Sequence, residues 1–346
     1  MDGPTQSKGE SEKFNKENYV FLVEKLASRI PLPYPLTFIV LVSTILCVEA
    51  VLYFSVNVFD YGSIFQYSMW NLPGGISIVL CMVFSRYLRD KTIQHFNRMI
   101  SVLKDEEIPT LKRQIDITFA KAHHWLIPLV ASFFVAVPFQ TYFLIIAPWP
   151  QWQPWYEQWY FGALALGIIS TLFTWLWLFA VGTLGYFCIC SAAILHRVRN
   201  RLKPLSIAEI DKGYVKPLGS QLMTITTSFA FGVGVNLMIG VVAPIAWWSV
   251  AQVLVFVASM LVLFFVPLFD LHRVMSDEKE KALRSFKEKW WDVSAKARPA
   301  MINALRVEEQ RIEEIATWPF SGDMLLRVGG YVIIPVVLFV LRYLLE

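Results

Sequence analysis

At 346 residues the chain is long enough for two soluble domains, but 56% hydrophobic and only 17% charged residues exclude that reading. Ordinary globular domains carry roughly 25% charged residues, and with a mean hydropathy of +0.50 no water-exposed fold hides this much apolar surface. The composition predicts an all-α, polytopic protein of the cell membrane, with the lipid bilayer as its first partner and no nucleic acid.

In chain order, residues 1–35 read as a polar N-terminus without a signal-peptide pattern, followed by an amphipathic surface helix over Asn18–Ile30. Val20, Val23, Leu26 and Ile30 share one face of it, and Pro31, Pro33 and Pro35 stop it. Seven apolar runs then reach spanning length. They are Leu36–Val56, Ile64–Tyr87, Trp125–Ala147, Trp159–Leu195, Ile225–Trp247, Trp248–Leu271 and Val328–Leu345. Six spans with their extensions fill 36–273, a charged helical anchor fills 274–327, and the seventh span is 328–346.

The cations set the orientation. Thirty of the 31 Lys and Arg lie before the first span or in Arg86–Lys121, Arg197–Lys216 and Arg273–Arg327. The alternate loops, Asn57–Ser63, Pro148–Gln158 and the turn at Trp247–Trp248, hold none. An excess of Lys and Arg marks cytoplasmic loops, so the N-terminus is expected inside and the C-terminus outside. The same rule makes Trp159–Leu195 one helix of roughly 55 Å, not two spans broken near Gly182 or Gly185. Its inner end then has to pack on other helices projecting from the membrane.

Those projecting helices are also legible. Thr92–Ile117 has helical character interrupted at Pro109. In Asp277–Trp318, Leu283, Phe286, Trp290, Val293 and Ala297 recur at helical spacing. Past Pro299 the stripe resumes at Met301, Leu305, Ile312 and Ile315. Leu283, Phe286, Trp290 and Trp318 are the expected anchor and assembly residues.

Chemistry is scarce. There is no nucleophile elbow, P-loop, HExxH or dinucleotide fingerprint, so no enzyme and no cofactor is expected. His123, His124, His196 and His272 lack a spaced carboxylate for a metal site. The four cysteines sit in apolar runs, with Cys188 and Cys190 on different helical faces. Charges inside spans are the better lead, because burying one in lipid costs at least ~2.5–3.5 kcal/mol on insertion scales. Glu49 and Arg342 qualify, each about 20 Å from the inner boundary at ~1.5 Å per residue, an equal depth that permits an ion pair. Asn236 and Gln252 add amides. Pro73-Gly74-Gly75, Pro128, Pro138, Gly232, Gly234, Gly240 and Pro335 permit kinks or close packing. The aromatic loop from Pro148 to Tyr156 fits an interfacial belt.

The stretch from Ile315 to Pro335, carrying Trp318-Pro319-Phe320-Ser321 and then Leu, Gly and Pro, resembles the ending of a family of uncharacterised prokaryotic membrane proteins. Their usual pattern is Trp-Pro-Phe-Asp, and Ser321 stands in place of the Asp. The plan of seven spans, inside N-terminus, long fourth helix, cytoplasmic anchor and short last span resembles the insect odorant and gustatory receptor channels. That resemblance implies a homo-oligomer, a tetramer by analogy, with the last span lining the pore. Tyr331–Leu345 lacks the Thr-Tyr…Gln-Phe pattern of the gustatory branch, so no pore residue carries over. A homo-oligomeric ion channel or channel-like chemosensor of unknown ligand is therefore the leading expectation. A small-molecule transporter, or a receptor or scaffold recruiting a cytoplasmic partner, is the alternative.

Overall fold

The structure, a computed structural model, describes residues 22–56, 61–100, 103, 105–123, 161–198, 216–242, 247–294, 299–314, 326–331, 333, 336–337 and 340–341. Every element among them is helical. In chain order they are α1 (Leu22–Ala27), α2 (Tyr34–Val56), α3 (Tyr61–Met99), α4 (Ile108–His123), α5 (Phe161–Val198), α6 (Lys216–Val242), α7 (Trp247–Ser294) and α8 (Pro299–Glu314). A short 3₁₀ turn, Asp105–Glu107, leads into α4, and helical pieces follow between 326 and 341. The third expected span, Trp125–Ala147, and the aromatic loop lie outside the described residues.

Helices α2, α3, α5 and α7 are long and apolar enough to cross a bilayer. Three of them are far longer than a crossing needs. At about 1.5 Å per residue, the 39 residues of α3, 38 of α5 and 48 of α7 reach about 58, 57 and 72 Å, against a hydrocarbon core of ~30 Å. Helix α5 is continuous through Gly182 and Gly185.

Two expected boundaries are corrected. The second span and the Thr92 helix are one element to Met99, and the sixth span and the Asp277 helix are one element to Ser294. Polarity changes at Arg86 and at Arg273, but no Gly or Pro lies between Gly75 and Pro109 or between Pro267 and Pro299. A change of solvent does not stop a backbone. Proline marks starts instead: Pro35, Pro109, Pro217 and Pro299 all sit in first turns, where the missing N–H breaks no helical bond. With Pro217 in its first turn, α6 starts at Lys216, nine positions ahead of the expected Ile225.

Helix α3 is the hub. It packs most extensively on α6, then on α5 and α2, while α6 also packs on α5 and α7. One continuous core runs from Phe38, Val42 and Ile78 through Leu184 and Phe187 to Phe96, Leu111, Ile194 and Val198. The C-terminal end of α5 is thus buried among α3, α4 and α6 residues.

Glycine makes these contacts possible. A Cβ on Gly232 would lie 2.0 Å from Leu184 Cδ2, one on Gly75 would lie 2.9 Å from Val42 Cγ1, and one on Gly74 would lie 3.2 Å from the Phe173 ring. These are close-packing positions. Facing outward, Val40, Val48 and Val51 on α2, and Val255, Val262, Val266 and Phe269 on α7, form broad exposed apolar faces. Such area in a monomer marks contact with lipid or protein.

Candidate functional site

Among the described residues two carboxylates are buried, in contrasting settings. Glu49 is the only Asp, Glu, Lys, Arg or His of α2, and it is 1% exposed. Phe38, Val42 and Glu49 are buried and Ile45 and Leu46 half-buried, a stripe at 3–4 spacing that faces α3 and α5. The carboxylate therefore lies on the packing face of the helix, turned away from the apolar face of Val40, Leu41, Val48 and Val51.

Glu24 is the second. Arg89 Nη1 donates to Glu24 Oε2, and Arg86 Nε lies 3.3 Å from Glu24 Oε1. Arg89 Nε and Nη2 also donate to Asp90 Oδ1 at 3.0 and 2.7 Å. The Arg86 guanidinium sits 4.8 Å from the Tyr34 ring centroid, and the Tyr34 hydroxyl donates to the Met82 carbonyl at 3.4 Å. These contacts clasp α1 and the start of α2 to α3, where its apolar run ends. A few residues on, Gln221 Nε2 donates to Thr92 Oγ1 at 2.7 Å, tying α6 to the same stretch of α3.

The clasp was not expected from sequence. Of the expected surface-helix face, Leu26 and Ile30 are exposed, while Glu24 and Ala27 form the side buried against the bundle. The available signal was Arg86 and Arg89, three apart and hence on one helical face, entering just where α3 leaves its apolar run.

The other expected positions are scattered. Asn236 lies late in α6 and Gln252 early in α7, and their side chains fall outside the described residues, as do Arg342 and Trp318. The proposed Glu49–Arg342 pair is thus not among the described contacts. Leu283, Phe286 and Trp290 are half-buried on α7, with the Phe286 and Trp290 rings 6.2 Å apart. Helix α8 folds back on α7, where Lys279 Nζ donates to the Glu313 carbonyl at 2.5 Å and Ile312 is buried.

Among the described residues no three His, Cys, Asp or Glu side chains gather as a metal would require. Cys81 and Cys188 are buried and donate to the Gly232 and Ile225 carbonyls of α6. Trp177 Nε1 donates to Ser77 Oγ at 3.2 Å, joining α5 to α3. No protein-family model matches the chain, and no curated protein or solved structure is similar to it.

Proposed function

We propose that the chain is a multi-pass integral membrane protein of the channel class, assembled from identical subunits, with Glu49 on the path of a cation. The observation that carries this reading is the burial of Glu49 on the packing face of an apolar helix. Placing a carboxylate in an apolar spanning helix is costly, and acids in such positions typically mark ion or proton pathways.

The membrane reading is supported by the four long apolar helices and their exposed faces. Seven spans with the N-terminus in the cytoplasm is the arrangement favoured by the Lys and Arg partition. Assembly around the last helix is supported by its two faces. Tyr331 and Val336 pack on the Phe256 cluster of α6 and α7, while Leu326, Ile333, Val337 and Leu341 stay exposed.

The test is electrical. Purified protein in planar bilayers should give unitary cation currents, and Glu49→Gln should lower conductance or cation preference in protein that still folds. Saturable uptake into liposomes without unitary currents would make the protein a transporter. Neither current nor flux would leave the receptor or scaffold class.

A further inference from the structure

The clasp borders an open groove between the start of α2 and the middle of α3, with a volume of about 390 Å³. Small-ligand sites typically enclose about 300–1,000 Å³. On α3, Val83, Tyr87, Asp90 and Gln94 follow one another at helical spacing along its wall, and Tyr34 and Pro35 of α2 close the other side. Its lining mixes the rings of Tyr34 and Tyr87 with two cations, Arg86 over the Tyr34 ring and Lys91 further along α3.

These two cations are only partly engaged. The Arg86 side chain is 45% exposed and makes its ion pair with Glu24 through Nε. Lys91 Nζ donates to Gln94 Oε1 at 3.1 Å and stands 6.0 Å from the Tyr87 ring centroid. Asp90, the one acid on the wall, is already bound by Arg89 through two nitrogens. Counting Glu24, Asp90, Arg86, Arg89 and Lys91, the cluster keeps a net positive charge. Beside it, Leu32, Leu36 and Tyr87 are exposed.

We propose that this groove holds the phosphate headgroup of an anionic phospholipid, with its acyl chains against Leu32 and Leu36. Arg86 and Lys91 would donate to the phosphate, and Tyr34 and Tyr87 would flank the glycerol region. The net positive charge of the cluster and the exposed leucines at the start of α2 match an amphiphile, whereas a soluble phosphate would use the cations alone. The inference rests on these helices crossing a bilayer, which flotation of the protein with vesicles tests by itself.

The experiment titrates the full-length protein in detergent with phosphatidylglycerol, phosphatidylcholine or inorganic phosphate, following the melting temperature. Phosphatidylglycerol should raise it saturably, where phosphatidylcholine and phosphate do not. Lys91→Gln, which leaves the Glu24–Arg89 pair intact, should weaken the apparent affinity about fivefold, as expected for one cation near a headgroup. Arg284→Gln, on the exposed part of α7, should leave it unchanged. Equal stabilisation by phosphatidylcholine, or an unchanged affinity in Lys91→Gln, would overturn the site. An equal loss in Arg284→Gln would do the same, and equal stabilisation by inorganic phosphate would overturn the lipid assignment. Failure to float with vesicles would instead overturn the membrane reading beneath it.

Discussion

Glu24 and Glu49 are both buried carboxylates, yet their surroundings differ in kind. Glu24 meets two guanidiniums at the point where α3 turns from apolar to charged. Glu49 lies among Phe38, Val42 and the half-buried Ile45 and Leu46, on a helix with no basic residue. The first is explained by its partners: it docks α1, and its burial is compensated by charge. The second sits on a helix that offers no cation, so whatever balances it comes from another element, and an acid at such a position is a candidate for function.

The largest expected effect tests the clasp. Arg89→Met leaves Glu24 and Asp90 without their shared guanidinium, and breaking such a buried pair typically costs roughly 3–5 kcal/mol. Chemical unfolding in detergent should show this loss, and Glu24→Gln with Arg89→Gln should recover much of it. Simple additivity of the two would mean that they do not act as a pair.

Next comes the wall behind Glu49. Gly75→Val places a side chain where Val42 and Leu46 already sit. Overpacking of this kind costs about 1–3 kcal/mol, and it should loosen α2 from α3 while leaving phosphatidylglycerol binding at the clasp intact. Loss of that binding would mean the two regions are mechanically one. A smaller effect belongs to Gln221→Met, which removes the bond to Thr92. Its expected cost is about 1 kcal/mol, read as a lowered melting temperature, and no change would show the bond to be idle.

Much of this arrangement was legible in the sequence, for physical reasons that also explain the misses. Helical class, the continuity of α5 and the burial of its C-terminal end follow from apolar run length and from where Lys and Arg fall. The continuity of α3 and α7 was missed because hydropathy reports a change of surroundings at Arg86 and Arg273, whereas helix ends depend on Gly, Pro and capping. The acid at Glu49 was visible because a charge inside an apolar run stands out in the sequence alone. The clasp was invisible because Glu24 meets Arg86 and Arg89 only through tertiary docking, and local periodicity assigned α1 by its apolar face alone. The glycines were visible as small residues, but only the Leu184, Val42 and Phe173 contacts distinguish packing from hinging.

The two carboxylates are separated most directly by cation flux into liposomes, measured beside the melting temperature for Glu49→Gln and for Glu24→Gln with Arg89→Gln. Neutralising Glu49 should abolish or strongly reduce flux in protein that still folds, the melting temperature reporting separately what the carboxylate contributes to stability. The neutralised clasp should keep the flux of the unaltered protein. Full cation flux through the Glu49→Gln protein would contradict the account.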